Sequence, residues 1–114
     1  VVALGHADVG VVQLARVLAM ENGSYGIRSN IVNPDAVFQG SGLWSSELRR
    51  ERATAHGIAE SELEEFYRKR NLLQAYITPT DVAQAVLFLA SDRSAKTTGC
   101  ILTVDGGVPA AFPR

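Results

Sequence analysis

Two short runs of polar side chains contain residue types that do chemistry in proteins, and the first is His6 with Asp8. An imidazole and a carboxylate two positions apart can bind a metal ion or act as a base. Two ligands at this spacing do not complete a metal site, so an exposed position before a helix is the favoured interpretation. The sequence therefore predicts no metal site.

The second run is Tyr67-Arg68-Lys69-Arg70. Arginine guanidinium groups match the geometry of carboxylates and phosphates, so this run could hold an anionic substrate. The run also falls inside a predicted helix, where a series of charges usually forms a solvated face. Both interpretations stay open, and the solvated face is favoured.

These residues are placed by an alternation of helices and strands. An apolar stripe of helical period predicts a first helix that ends at Asn22-Gly23. Residues 27–32 predict a short strand ended by Pro34, and residues 35–46 predict a loop. Residues 100–104 predict a buried second strand that Asp105-Gly106-Gly107 closes. The predicted buried face of the first helix consists of Val11, Leu14, Ala15, Leu18 and Ala19.

Between the strands, residues 46–55 and 61–73 predict two charged helices that cover the surface, the second with a capping box at Ser61-Glu62-Leu63-Glu64. Thr78 and Pro79 begin a further helix, and Asp81 completes a second capping box. The predicted buried stripe of this last helix is Val82, Ala85, Val86, Leu89 and Ala90.

This order of elements predicts the α/β class, with helices flanking a largely parallel sheet. Two strands do not make a stable parallel sheet, because both of its faces must be buried and its edges need neighbours. The chain also opens at Val1, close to a helical pattern and without an initiator Met. We therefore expect residues 1–114 to be the C-terminal part of a single domain whose N-terminal half is absent.

Composition narrows the class of partner. Eleven basic and twelve acidic residues give a net charge of −1, which is no electrostatic footprint for nucleic acid or an anionic membrane. Cys100 is the only cysteine, so no internal disulfide can form. No apolar stretch approaches the roughly 18 residues that span a bilayer. We expect a cytoplasmic protein with small-molecule or protein partners, and without nucleic-acid or membrane binding.

Three motifs in sequence carry a resemblance that none of them carries alone. They are Gly26-Ile27-Arg28-x-Asn30-x-Val32-x-Pro34, Asp81-Val82-Ala83-x-x-Val86-x-Phe88-Leu89-Ala90-Ser91-Asp92, and Thr98-Gly99-x-x-x-x-Val104-Asp105-Gly106-Gly107. Their order and spacing resemble the short-chain dehydrogenase/reductase family over residues 10–107.

A narrower resemblance rests on further residues. Asn33-Pro34-Asp35-Ala36-Val37, Gly40-Ser41, Trp44, residues 94–99 and the ending Ala111-Phe112-Pro113-Arg114 are similar to bacterial bifunctional rhamnulose-1-phosphate aldolase/alcohol dehydrogenases. In that family an aldolase region precedes a dehydrogenase region for a lactaldehyde-like substrate, which implies rhamnose catabolism. Nothing in this chain represents the aldolase.

The resemblance implies a doubly wound Rossmann-type sheet with the cofactor, NAD or NADP, outside the carboxyl ends of its strands. By position, the resemblance implies that the nicotinamide carboxamide contacts the main chain of residues 34–37, which are Pro34, Asp35, Ala36 and Val37. Val37 is the single residue most expected to make this contact. Residues 34–37 are called the strand-end segment below. Residues 40–73, called the cover segment, would close over substrate, with Trp44 lining that pocket. Asp35 replaces the usual Gly of the family.

The chain departs from the family at its catalytic residues. No G-x-x-x-G-x-G phosphate loop occurs. Counting back from the first helix places Leu4 and Asp8 at the positions of the catalytic Tyr-x-x-x-Lys, and neither can act as the acid/base or lower its pKa. No displaced copy exists, because Tyr25, Tyr67 and Tyr76 precede Ser29, Asn71 and Thr80 by four residues, and the lysines are Lys69 and Lys96. The sequence predicts no catalytic residue.

Two functions follow as hypotheses. The first is part of an NAD(P)-dependent oxidoreductase that transfers hydride to or from a small alcohol or aldehyde, the chain alone being inactive. The second is a non-catalytic assembly module or degenerate remnant. It would form homo-oligomers through the first helix and the last strand, as family members do.

Overall fold

A parallel sheet of three strands forms the centre of the part of the chain that the computed structural model describes, which is residues 2–4, 9–42 and 44–112. The strands lie in the order β1 (Val2–Leu4), β2 (Asn30–Pro34) and β3 (Ile101–Val104). The α/β prediction is confirmed, whereas the expectation of two strands and a helical opening is wrong. Three residues are too few for a strand to show its alternating pattern in the sequence.

Both faces of β2 are covered. Ile31 and Val32 are 1% and 0% exposed, and successive strand residues point to opposite faces of a sheet. Helices α1 (Val9–Asn22) and α4 (Pro79–Ala90) both pack on β2. The sheet is therefore a layer between helices, as the α/β class requires.

Helix α1 approaches the sheet through small side chains. Ala15 and Ala19 are its buried residues, and a Cβ added at Gly99 would lie 3.8 Å from that of Ala19. The predicted burial of Leu14 is wrong, because its side chain is 60% exposed. The face of α1 that contacts the sheet is formed by Ala15 and Ala19, which are four residues apart, and Leu14 lies beside that face.

The predicted strand at residues 27–32 begins three residues and ends two residues later than predicted. The β2 ladder begins at Asn30 and runs through Pro34, which pairs in register with Val104. Arg28 and Ser29 make hydrogen bonds elsewhere: the Arg28 guanidinium donates to the Leu89 carbonyl at 2.8 Å, and the Ser29 N–H donates to Thr98 Oγ1 at 3.0 Å. Pro34 is tolerated at the end of the strand, where a missing N–H removes only one ladder donor.

The predicted second strand is confirmed to within one residue, since β3 begins at Ile101 rather than at Cys100. Its predicted full burial is wrong, because all four residues of β3 are half-buried. Among the described strands β3 lies at the edge of the sheet, so it has one strand neighbour only.

The cover segment holds two helices. Helix α2 (Ser46–His56) agrees with the prediction and is capped by the Ser45 hydroxyl, which accepts from the Leu48 N–H at 3.3 Å. Helix α3 (Leu63–Arg70) is shorter than predicted and follows a 3-10 turn at Glu60–Glu62. The predicted capping box at Ser61 is wrong. The Glu62 carboxylate instead accepts a hydrogen bond of 3.3 Å from the N–H of Ala59, which lies two residues before the predicted cap Ser61.

The start of α4 confirms the prediction for Thr78. Its hydroxyl accepts from the Asp81 N–H at 3.3 Å, and the Asp81 carboxylate accepts from the Thr78 N–H at 2.8 Å. That hydrogen bond from the Thr78 N–H, together with the one from its hydroxyl, lowers the pKa of Asp81. The buried stripe is narrower than predicted: Leu89 is buried, Val82, Ala85 and Val86 are half-buried, and Ala90 is exposed.

The molecule is less compact than its length predicts. Its radius of gyration is 15.9 Å, against about 13 Å for a compact domain of 114 residues. Large apolar side chains lie exposed on both flanking helices, and they include Val9, Leu14, Met20, Leu87 and Phe88. Within the described ranges, no helix is long and apolar enough to cross a bilayer.

Candidate functional site

The candidate site lies where β2 and β3 end. Parallel strands place their carboxyl ends at one edge of a sheet, and Pro34 and Val104 are the last residues of the two strands. The Asp35 N–H continues the ladder by donating to the Val104 carbonyl at 3.2 Å. The strand-end segment therefore lies beside the turn that follows β3.

Ala36 has an unusual backbone conformation. Its φ is +57°, in the left-handed region that costs a non-glycine residue about 1–2 kcal/mol. Such a conformation persists where neighbouring contacts fix it. Ala36 packs against the buried cluster of Ala53, Leu63 and Tyr67, and the residue before it is held by the hydrogen bond to Val104.

The main chain of the strand-end segment fits a polar ligand at two positions. The Asp35 N–H is already used by Val104. In the described part of the chain, the N–H and C=O groups of Ala36 and Val37 take part in no hydrogen bond. These are the groups that a carboxamide, which both donates and accepts, can satisfy.

The Asp35 carboxylate forms an ion pair with the Arg70 guanidinium at the end of α3. Arg70 also stacks on Tyr67, with its guanidinium carbon 4.2 Å from the ring centroid. Both charged side chains are about one-third exposed. The Nε of Arg70 is buried and has no hydrogen-bond partner among the described residues. The pair joins the strand-end segment directly to the cover segment.

An aromatic cluster forms the core of the cover segment. Trp44 stacks on Phe38 with ring centroids 4.2 Å apart, and its ring meets that of Tyr67 edge-on at 5.4 Å. Phe38 follows the strand-end segment directly, so this stack is a second connection between the segment and the cover. The position of Trp44 is thus explained by packing. Its contact with substrate stays a prediction.

Asn71 shapes the turn after α3. Its side chain is buried, donates to the Ala75 carbonyl at 2.9 Å and accepts from the Ala75 N–H at 3.1 Å. The next two residues donate their N–H groups to Gly107 and Gly106, at 2.8 and 3.1 Å. This turn ends α3 at Arg70 and prevents the predicted continuation to residue 73.

Gly106 and Gly107 are required by that contact. A Cβ at Gly106 would lie 2.5 Å from the Asn71 Oδ1, and both glycines have a left-handed φ of +70° and +82°. The sequence motif Asp105-Gly106-Gly107 is therefore more than a strand terminator. It is the surface on which the end of the cover segment docks.

A cavity of about 550 Å³ opens beside this contact. Its walls come from the turn after α3, the start of α4 and the end of β3, and they include Leu72, Tyr76, Ile77, Thr103 and Val104. The strand-end segment does not line this cavity. The predicted nicotinamide position and this cavity are therefore different places on the same edge of the sheet.

The two interpretations of residues 67–70 both need correction. Arg68 pairs with Glu65, and Arg70 pairs with Asp35, so both guanidinium groups are already bound to carboxylates. Tyr67 is only 7% exposed, which contradicts a fully solvated face, although Lys69 is exposed. The i, i+3 spacing of Glu65 and Arg68 is a local signal for the first pair, whereas Asp35 lies 35 residues from Arg70 and gives no such signal.

Glu65 is the centre of a small polar network on α3. Its carboxylate accepts from Arg68 and from the Tyr76 hydroxyl, the latter at 2.6 Å. The hydrogen bond from Arg68, followed by that from Tyr76, lowers the pKa of Glu65 to about 2. The same carboxylate raises the pKa of Tyr76. The phenol of Tyr76 is therefore not activated as an acid/base at neutral pH.

The resemblance assigns the catalytic tyrosine and lysine positions to Leu4 and Asp8. Leu4 lies in strand β1, and leucine has no proton to transfer. His6 and Asp8 lie outside the described residues. Of the tyrosines, Tyr67 is buried in the cover and Tyr25 is exposed.

Comparison with known proteins places the fold in a family. Residues 2–109 match the family model described as enoyl-(acyl carrier protein) reductase, including residues before the first helix. The chain is 58% identical over 101 residues to the uncharacterized oxidoreductase YuxG of Bacillus subtilis (strain 168), which covers 89% of the chain and 15% of that protein.

Two further proteins to which the chain is similar indicate the same family. The inactive 2-(S)-hydroxypropyl-CoM dehydrogenase 2 of Xanthobacter autotrophicus is 36% identical over 91% of the chain and 42% of its own length. The crystal structure of a short chain dehydrogenase family protein from Francisella tularensis superposes with a TM-score of 0.73 at 31% identity, over 90% of the chain and 41% of that protein. The chain thus spans less than half the length of these relatives.

The site is therefore part of a Rossmann-type α/β oxidoreductase fold, in which the strand-end segment occupies the carboxyl edge of the sheet. This chain belongs to the short-chain dehydrogenase/reductase family.

Proposed function

We propose that this chain supplies the nicotinamide end of an NAD(P)-dependent short-chain oxidoreductase, and that the chain alone is catalytically inactive. The observation that carries the proposal is the pair of unused main-chain positions at Ala36 and Val37, at the carboxyl edge of a parallel sheet. Bound NAD(P) would supply the ring that accepts or donates hydride. The residues of this chain would orient the carboxamide of that ring.

Inactivity is proposed from what the chain lacks. Hydride transfer to an alcohol or aldehyde needs a group that moves the hydroxyl proton. The sequence has no Tyr-x-x-x-Lys, and Tyr76 is held by the Glu65 carboxylate. Any NAD-dependent alcohol oxidation by the rigorously purified chain would contradict this part of the proposal.

The proposed substrate class is a small alcohol or aldehyde of the lactaldehyde type, in a cytoplasmic rhamnulose-1-phosphate aldolase/alcohol dehydrogenase. Two observations support this substrate class. One is the motif at residues 33–44, and the other is the similarity to YuxG, in which the matched region makes up only 15% of the length. That share leaves room in such a protein for a second catalytic region. An antibody against this chain tests the point: we expect it to detect a product several times longer in source cells, and a product of 114 residues would contradict the fused architecture.

NADH titration of the purified chain tests the central proposal. Trp44 is the only tryptophan, and its emission overlaps the absorption of the reduced nicotinamide, so binding is observed as energy transfer. We expect a saturable loss of Trp44 emission. A flat response up to millimolar NADH would reject the cofactor site.

A second candidate function is an assembly module. Its support is the exposed apolar surface of α1, where Val9, Leu14 and Met20 are more than half exposed, together with the half-buried edge strand β3. Sedimentation equilibrium separates the two candidates. A dimeric mass with no NADH response would favour the module, whereas NADH binding by a monomer would exclude it.

A further inference from the structure

We infer that the Asp35–Arg70 ion pair positions the strand-end segment and fixes the cover segment over it. The inference deepens the proposed function, on which its ligand-binding half rests. Arg70 acts here as a positioning residue through Asp35, and neither side chain is assigned contact with the reacting atoms.

Both partners of the ion pair are anchored by contacts of their own. Asp35 is held on the sheet side, because its N–H donates to the Val104 carbonyl at 3.2 Å. Arg70 is held on the cover side, because it is the last residue of α3 and its guanidinium lies 4.2 Å from the Tyr67 ring centroid. Both partners therefore have fixed surroundings before they meet. Such a pair loses little side-chain entropy on forming, unlike a pair between two free surface side chains.

The pair lies next to a residue with a strained backbone. Ala36 follows Asp35 directly and has a φ of +57°. A strained residue needs support on both sides, and here the support is Asp35 before it and the aromatic stack of Phe38 on Trp44 after it. The unused N–H groups at Ala36 and Val37 are thus presented in one arrangement. Release of the pair would let this segment relax towards an ordinary φ.

The pair also couples the two segments that it joins. The resemblance implies a Gly at position 35, and Gly has no side chain that could reach Arg70. Asp35 instead contacts the cover segment through the Arg70 guanidinium. The two segments are thereby coupled, so that opening of α3 and movement of residues 34–37 occur together.

Tryptophan fluorescence tests the coupling without any cofactor. Trp44 lies in the cover, edge-on to Tyr67 at 5.4 Å, so release of α3 exposes its ring to quencher. We expect Asp35→Asn and Arg70→Met each to raise the acrylamide quenching constant of Trp44 about twofold. The double variant is expected to show no more than the larger single effect, because both remove the same contact.

The matched control is Lys69→Met. It removes one positive charge from the same helix, at an exposed side chain next to Arg70 that does not contact Asp35. Arg70→Lys is a second comparison, since it keeps the charge and loses the planar fork. We expect no change in quenching for Lys69→Met and a partial effect for Arg70→Lys. Unchanged quenching in both Asp35→Asn and Arg70→Met would overturn the inference, whatever happens to NADH binding.

NADH affinity tests whether the ion pair also positions the strand-end segment for the cofactor. We expect Asp35→Asn and Arg70→Met to weaken NADH binding about fivefold, which corresponds to a partly exposed ion pair of about 1 kcal/mol. Increased quenching of Trp44 with unchanged NADH affinity would show that the ion pair does not position the strand-end segment. If the native chain does not bind NADH, the proposed function fails, and the quenching comparison still decides whether the pair fixes the cover.

Discussion

The Arg28 guanidinium donates a hydrogen bond of 2.8 Å to the main-chain oxygen of Leu89, which joins the approach to β2 to the last turn of α4. The same guanidinium donates to the Ser94 hydroxyl at 2.9 Å and to the Ser91 carbonyl at 3.2 Å. Carbonyls at the end of a helix have no partner within the helix, so one arginine satisfies several of them. This is the structural reason for Arg28 in the motif that begins at Gly26.

We expect Arg28→Met to lower the free energy of unfolding by about 2–3 kcal/mol, because hydrogen bonds from a charged donor are lost and the carbonyl acceptors stay partly buried. Urea unfolding followed by circular dichroism measures the change. Arg16→Met is the matched control, since Arg16 is exposed and makes a single 3.5 Å bond to Gln13. An equal effect of the two substitutions would show that Arg28 does not fix the end of α4.

Gly106 gives a second prediction. We expect Gly106→Ala to destabilise the chain by about 3 kcal/mol, from the left-handed φ and from displacement of Asn71, whose two hydrogen bonds to Ala75 would be strained. Gly57→Ala is the comparison: its φ is +68°, but a new Cβ there meets nothing within 4 Å. It should cost about 1 kcal/mol. Equal unfolding midpoints for the two variants would contradict the docking of the turn on Asn71.

The Glu65 network predicts a pH dependence. The folded pKa of Glu65 is about 2, below its ordinary value of 4.5, so its contribution to stability is present above about pH 4.5 and is lost as the pH falls towards 2. We therefore expect Glu65→Gln to be less stable than the native chain at pH 6, and the difference to shrink at pH 2.5. Urea unfolding at both pH values measures it.

Glu51→Gln serves as the control for loss of a carboxylate, since Glu51 is exposed on α2. We expect it to alter stability little at either pH. A Glu65→Gln difference that stayed constant between pH 6 and pH 2.5 would contradict the network.

The elements that sequence predicts well are those with local signals. Thr78 and Asp81 cap α4 as predicted because a capping box needs only residues three apart. The displaced start of β2 and the early end of α3 were not predictable from local pattern. Both depend on partners distant in sequence: Arg28 on Leu89 and Ser94, and the Asn71 turn on Gly106 and Gly107.

In the candidate site, too, local features could be predicted from the sequence and long-range contacts could not. Pro34 marks a strand end in the sequence, and the structure places it at the carboxyl edge of the sheet. The Asp35–Arg70 pair spans 35 residues, and two opposite charges at that separation carry no signal among a chain's many charges. The positive φ of Ala36 was likewise hidden, because alanine rarely adopts it.

The most direct test of the central claim separates the two ends of the cofactor. The chain is proposed to hold only the nicotinamide end, so reduced nicotinamide mononucleotide should reduce Trp44 emission saturably. AMP, which carries the other end, should neither change the emission nor displace the mononucleotide. That result would support residues 34–37 as the nicotinamide site. Competition by AMP, or no response to the mononucleotide at millimolar concentration, would contradict it.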